Sequence, residues 1–284
     1  MRIKKDKKPV TTFLDELNAI EVDLLSCPDK EQTERMLVNT CSGHDIPDAY
    51  DHMTEKERQE SIQTLINDGA LPKGLEMTGK FVFCVKNISL TITHMLVRHR
   101  FFSILQKSTA VNDLRDENFV MPRSFNKDPK FYKKVKDWYL QGKELFCEAV
   151  DKQNISVQNA RLFIPKNNCN HMFIGCDLKS FREAYGQRAD TCEEPIQSNL
   201  IFEKMKELIV EKFPYFESYI KSNCDTGRCL HCGTGKHSNI VFKRDEKHKV
   251  KNDKYDSDIM DDTLHDMTRD EMNEGPEIKE EIIE

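Results

Sequence analysis

Two nearby stretches decide the reading of this chain: Phe81-Val82-Phe83-Cys84-Val85, and then Val97-Arg98-His99-Arg100-Phe101-Phe102-Ser103-Ile104-Leu105-Gln106-Lys107-Ser108. The first is a short apolar run rich in aromatic and β-branched residues, the pattern of a buried strand. Between the two, Ile88, Ile92, Met95 and Leu96 recur at helical spacing, so a helix is expected to run into Arg98-His99-Arg100. Two arginines around a histidine at a helix end concentrate positive charge. Taken alone, that triplet also fits a solvated basic terminus favoured by the helix dipole.

Working outward, Thr54-Glu55-Lys56-Glu57 has the form of a capping box, with Ile62, Leu65 and Ile66 on one face behind it and Gly69 at the exit. A long helix is expected to carry Phe131, Val135, Trp138, Leu145 and Ala149, and a strand to lie around His171 to Ile174. Asp177 can cap a helix through Phe181, Ala184 and Tyr185. The last strong helix begins near Pro195, shows Ile196, Leu200, Met205, Leu208 and Ile209, and stops at Pro214. The fold class is therefore α+β with helix dominant. No internal repeat is visible.

Composition narrows the classes. The chain has 284 residues with 38% hydrophobic and 32% charged, so a sizeable core is affordable within a polar exterior. No apolar stretch reaches membrane-spanning length, and Val10 to Asp15 is no secretory hydrophobic region, so no membrane association and a cytoplasmic location are expected. A net charge of −6 gives no global field for nucleic acid, leaving anionic ligands to local arginines. The ten cysteines are scattered through a long chain, a pattern of reduced thiols, and Cys169, Cys176 and Cys192 can pack as small apolar groups. From about Lys243 to Glu284 the sequence is charged and poor in large apolar groups, and disorder is expected over 243–284.

Three arginine-bearing segments carry the chemistry. Arg98-His99-Arg100, two residues, Ser103, then Gln106 and Ser108 form the first. Ala160-Arg161-Leu162-Phe163-Ile164-Pro165 is the second, and Asp177-Leu178-Lys179-Ser180 followed by Arg188-Ala189-Asp190 the third. Guanidinium groups grip phosphate or a flavin carbonyl through paired donors that lysine cannot copy. Together, in this order, the segments resemble the signatures of the flavin-dependent thymidylate synthases, with Thr93 to Val97 and Asn118 to Pro122 also similar to that family. The likeness covers roughly Phe81 to Cys232, and the interval of nine from Lys179 to Arg188 matches the family's Arg-to-Arg interval. Upstream of Phe81 the family's His-x-Ser element has no convincing counterpart.

The resemblance implies a helix-rich domain over 1–242 with a small antiparallel sheet, assembled as a homotetramer with sites shared between subunits. It implies FAD as cofactor, methylene-tetrahydrofolate and NADPH as co-substrates, and reductive methylation of dUMP to dTMP. Residue by residue, Arg98, His99 and Arg100 would contact the flavin, with Gln106 nearby. Asp177, Lys179 and Glu183 would stand at further cofactor positions, Asp177 where the family has asparagine and Lys179 where it has arginine. Ser108 and Arg161 would hold the nucleotide. Arg188 would sit against the pyrimidine edge, where a fixed guanidinium stabilises charge developing on N3 and O4 as C5 is activated. Outside that context, Arg188 reads as a surface partner for Asp190 or Glu193.

Departures from the pattern leave other readings open. Where the family has Ser-x-Arg-Tyr, this chain has Ser108-Thr109-Ala110-Val111, so a phosphate-binding arginine is missing, and Arg115 is the candidate to compensate. Met95 replaces a common glutamine. A relative that methylates or hydroxymethylates another pyrimidine nucleotide is therefore one alternative. Cys224, Cys229, Cys232 and His237 can supply four zinc ligands of ordinary type, or equally belong to a structural element of the family, or be free thiols. A non-catalytic metal- or nucleotide-binding descendant of the fold is the second alternative. No Gly-x-Gly-x-x-Gly occurs to mark a Rossmann site.

Overall fold

The apolar run at Phe81 is the centre of a four-stranded antiparallel sheet dressed by helices. In the computed structural model the elements follow the order β1 (Phe13–Asp15), β2 (Glu21–Ser26), α1 (Lys30–Cys41), α2 (Glu55–Asn67), β3 (Phe81–Ser89), α3 (Leu90–Leu96), β4 (Ser103–Gln106), β5 (Phe119–Met121), α4 (Pro129–Asp151), α5 (Val157–Ala160), β6 (Cys169–Cys176), α6 (Leu178–Arg188) and α7 (Ile196–Lys212). The structure describes residues 11–41, 49–69, 71, 75–189 and 195–226. These lie in one unit within Met1–Arg228. The charged segment 243–284, with Cys229, Cys232 and His237, lies outside the described residues.

The main sheet runs β2-β3-β6-β4, every pair antiparallel. β3 is longer than its sequence pattern announced. Its pairing with β6 shifts register between Val85 and Ile88, where Asn87 adopts φ 57 and donates its side-chain amide to Ala19 O at 2.9 Å. Asparagine tolerates this left-handed conformation, so the strand bulges and continues rather than ending. Ile88 is accordingly a fully buried strand residue and not the first turn of a helix. Ser89 caps α3 instead, its Oγ accepting from Ile92 N at 3.4 Å. That helix ends at Leu96, so Arg98-His99-Arg100 sits on the turn between α3 and β4.

Phe81, Phe83, Phe181, Phe202, Phe213 and Phe216 fill the space between this sheet and the helices α6 and α7. In α7 the buried face is Ile201, Phe202, Met205 and Ile209; Leu200 and Leu208 flank it half-buried, and Ile196 is exposed at the first turn. The capping box forms as expected: Thr54 Oγ accepts from Glu57 N, Glu57 takes the Thr54 N–H in return, and Gly69 leaves the helix at φ 67.

A second core, not anticipated from the sequence, lies under α4. Phe13 and Phe119 belong to a parallel two-stranded pair, β1 with β5, and stack with Tyr139 of α4. The face of α4 turned inward is Tyr139, Lys143, Phe146, Ala149 and Val150. The expected face is therefore mostly wrong: Phe131, Trp138 and Leu145 are about half exposed, at 49%, 57% and 49%. A buried lysine in the middle of the true stripe hides its apolar periodicity. Lys143 Nζ donates to Thr11 Oγ at 2.7 Å, to Arg115 O at 2.9 Å and to Glu117 O, and burial pushes its pKa down to about 8.

Candidate active site

Strand pairing brings two of the three arginine-bearing segments together. β4 follows the Arg98–Arg100 turn and pairs with β6, Ser103 opposite Gly175. β6 leads through Asp177 into α6, whose last residue is Arg188. The hydrogen-bonded pair therefore delivers His99 and Arg188 to the same place: Arg188 Nε donates to His99 Nε2 at 3.2 Å. These residues are 89 apart in sequence.

The histidine is held firmly. Its ring lies 5.2 Å from that of Phe102 and meets Phe202 edge-on at 5.9 Å. Burial, reinforced by the Arg188 and Arg98 charges, pushes the His99 pKa down to about 4 from its ordinary 6.5. Because an arginine N–H has only a lone pair to meet there, the ring carries its proton on Nδ1. Linkage fixes a sign. Between about pH 4 and 6.5 the unfolded chain binds a proton that the folded one refuses, so stability falls as pH is lowered through that window. Denaturant melts of the wild type and a His99→Phe variant should diverge across it, the wild type alone losing this component toward pH 4. Arg98 and Arg100, on either side, are exposed.

The second group of predicted residues surrounds the end of β4. Gln106 Nε2 donates to Thr93 Oγ at 3.0 Å, anchoring β4 to α3. Beyond it the chain turns at Ser108, whose Oγ accepts from Ala110 N at 3.2 Å and whose carbonyl accepts from Asn112 Nδ2 at 2.6 Å. Arg161 reaches this turn, Nη1 donating to Thr109 Oγ at 3.2 Å. Thr109 is a contact that sequence reasoning missed; it occupies the variable position of the Ser-x-Arg pattern. The turn is braced from behind: Lys107 pairs with Glu117, and Lys143 clamps the carbonyls of Arg115 and Glu117.

Arg161 owes its place to a close approach. A Cβ on Gly142 of α4 would stand 2.5 Å from Phe163 O, so only glycine lets the Arg161–Phe163 turn lie on the helix. In an ordinary helix interior Gly→Ala gains about 1 kcal/mol. Here the backbone oxygen must retreat, and Gly142→Ala should instead cost ~1–3 kcal/mol, which a thermal melt against the wild type reads.

The remaining candidates are placed as follows. Both carboxylate oxygens of Asp177 are engaged by Ser180, from its N–H and its hydroxyl at 2.8 Å each, so Asp177 caps α6. Lys179 is half-buried and Glu183 exposed on the same helix. Arg115 does not stand in for the missing arginine. It is 3% exposed and forks onto Asp151 with two bonds of 2.8 Å, with Asp113 at 3.1 Å. Cys169 and Cys176 are buried, their thiols pushed up by burial, and so pack as apolar groups. Cys224 is buried at the end of the described chain. Among the described residues no group of His, Cys, Asp or Glu could hold a metal ion, and no helix is long and apolar enough to cross a membrane. Asp190, Thr191, Cys192, Glu193 and Glu194 lie outside the described residues.

An α+β unit that sets Arg188 beside the Arg98–Arg100 turn before β4, and Arg161 beside the Ser108 turn after it, defines a class of protein suited to anionic, planar ligands. The thymidylate synthase complementing protein family model matches residues 23–215, and the chain belongs to that family. Relatives include the flavin-dependent thymidylate synthases of Pyrococcus abyssi, 31% identical over 112 residues (38% of this chain, 46% of the relative), and of Pyrococcus furiosus, 24% over 145 (50% and 58%). That of Thermococcus onnurineus is 25% identical over 150 residues (51% and 59%). The chain thus spans about half the length of the curated relatives it matches. Among solved structures, the UMP/dUMP methylase PolB from Streptomyces cacaoi bound with 5-Br dUMP shares the fold, with TM-score 0.55 at 15% identity, covering 72% of this chain and 97% of that one. Its complex with 5-Br UMP gives 0.56 at 14%, covering 76% and 99%.

Proposed function

We propose that the chain is a flavin-dependent thymidylate synthase that methylates dUMP to dTMP with FAD, methylene-tetrahydrofolate and NADPH. The observation that carries this reading is the Arg188–His99 contact, which joins the ring-edge arginine to the Arg-His-Arg segment. The donor set fits a flavin: two exposed guanidinium groups, Arg98 and Arg100, flank a neutral imidazole, offering cations to phosphate and donors to ring carbonyls without a buried unpaired charge. Gln106, Lys179 and Glu183 would complete the flavin side, with Asp177 contributing chiefly through the helix it caps. When bound, the reduced flavin supplies the hydride and the route for the methylene carbon.

The protein's own work is binding and charge placement. Ser108 and Arg161, braced through Thr109, would take the nucleotide phosphate. Arg188 would meet N3 and O4 of the ring, where its fixed positive charge favours the electron-rich form of the pyrimidine and raises the nucleophilicity of C5 without a cysteine. Phe101, Leu105 and Leu162, exposed at 76%, 70% and 83% and next in sequence to predicted site residues, support association with further subunits, which the proposed function takes to be a homotetramer.

A second reading, a different pyrimidine nucleotide, comes from the departures at the nucleotide end. Ala110 cannot bind phosphate and Arg115 is committed to Asp151, so the phosphate side is thinner than the family pattern. Product analysis with dUMP, UMP and dCMP in the presence of the folate, FAD and NADPH separates the readings. Methylated product from dUMP supports the first. Product from UMP or dCMP but none from dUMP replaces it with the second.

A further inference from the structure

We propose that Lys143 is the positioning residue of the phosphate side: its buried ammonium holds the turn over 107–117 in the arrangement that brings Thr109 against Arg161. The inference rests on the reading above that Ser108 and Arg161 take the nucleotide phosphate, and it gives a task to a core residue that the reading leaves unused.

The turn is anchored at both ends. At its start Lys107 is tied to β6, its N–H donating to His171 O at 3.1 Å and its carbonyl accepting from Asn170 Nδ2 at 3.1 Å. At its far end Lys143 Nζ donates to Arg115 O at 2.9 Å and to Glu117 O, with Thr11 Oγ as the third acceptor at 2.7 Å. Three acceptors match the three N–H groups of an ammonium. Between the anchors stand Ser108 and Thr109, the second receiving Arg161 Nη1 at 3.2 Å. Arg161 owes its own seat to the preceding residue of the same helix, where Gly142 admits the Phe163 carbonyl. Consecutive residues of α4 therefore set the two halves of the proposed phosphate site, Gly142 the arginine and Lys143 the turn.

An ammonium is a demanding choice for a core. Lys143 is 1% exposed, and burial pushes its pKa down to about 8. The titratable groups facing it are Glu117 and Asp116 from the turn, Cys147 from its own helix and Cys169 from β6. Arg115 offers its carbonyl, while its guanidinium forks onto Asp151, and the Phe119 ring lies 5.1 Å away. Once the amine loses its proton, two N–H groups remain for three acceptors and the anchor weakens. Linkage gives global stability the opposite sign. Between about pH 8 and 10.5 the unfolded chain binds a proton that the folded one lacks, so this component of stability rises with pH while the turn loosens.

That divergence separates positioning from plain structural support. The full chain, supplied with FAD, methylene-tetrahydrofolate and NADPH, is assayed at varied dUMP. Lys143→Met keeps an unbranched stem without donors; it should raise the dUMP KM ~10-fold or more, with kcat within about threefold and FAD uptake unchanged. From about pH 7 to about pH 9 the wild-type KM should climb ~threefold or more, whereas the variant's KM, already high, should stay flat. Over the same range the melting temperature of the wild type relative to the variant should rise. Should the variant fail to fold, the wild-type pH series decides. An unmoved KM in folded Lys143→Met, a rate loss that tracks lost FAD, or a wild-type KM flat across that range overturns the positioning role. Arg161→Ala checks the reading beneath it and should also raise the dUMP KM. No effect there overturns the phosphate assignment and this inference with it.

Discussion

Replacing Arg188 with alanine should lower methyl transfer by ~10²–10³-fold while the protein stays folded and still takes up FAD. The arginine's Nε is hydrogen-bonded to His99 at the end of α6, and the helix core it leaves behind is Phe181, Ala184 and Tyr185, none of which depends on it. Its removal therefore takes away charge rather than packing, charge that the proposed function sets at the pyrimidine edge. The signature is a fall in kcat with nucleotide binding largely retained, because the proposed phosphate contacts lie with Ser108 and Arg161. Steady-state kinetics with flavin titration measures it, and undiminished turnover would rule out the role given to this residue.

Arg115→Ala should have the largest effect on stability. The guanidinium is 3% exposed and its loss strands Asp151 and Asp113, whose side chains are only 19% and 20% exposed. Breaking a buried pair from one side costs about 3 kcal/mol or more, which for a domain of this size is a fall in Tm of ~6–12 °C. The same residue carries the carbonyl that Lys143 grips, so the turn at Ser108 should loosen as well. Calorimetry beside nucleotide titration distinguishes two roles. A large Tm loss identifies the structural ion pair; an unchanged Tm with a strongly raised KM would mean that Arg115 serves the phosphate after all.

Where local chemistry and tertiary structure agree, the sequence could be read directly. Thr54 and Glu57 cap one another within a single turn, Asp177 caps α6 through Ser180, and the apolar run at Phe81 is the central strand. The reading failed where a distant partner decides the outcome. Ile88 is a strand residue because Asn87 finds Ala19 O, a contact 68 residues away. The buried face of α4 is concealed by Lys143, whose amine is satisfied by Thr11, Arg115 and Glu117 across the second core. The three-residue strands Phe13–Asp15 and Phe119–Met121 are too short to show any period.

The site divides in the same way. Arg98 to Ser108, Arg161 and Arg188 carry a pattern that singles them out in the sequence itself. Thr109 does not, because its importance lies in the guanidinium that reaches it from 52 residues on. Arg115 misled for the opposite reason: proximity in sequence made it a phosphate ligand, whereas its partner Asp151 lies 36 residues away on α4.

The central claim is that cations from separate segments hold a flavin beside a pyrimidine nucleotide. The visible absorption spectrum of the purified protein, taken with added FAD before and after dUMP, tests it most directly. The account predicts a retained oxidised-flavin band that shifts when the nucleotide binds next to it. A colourless protein that takes up no FAD, with or without dUMP, would contradict it.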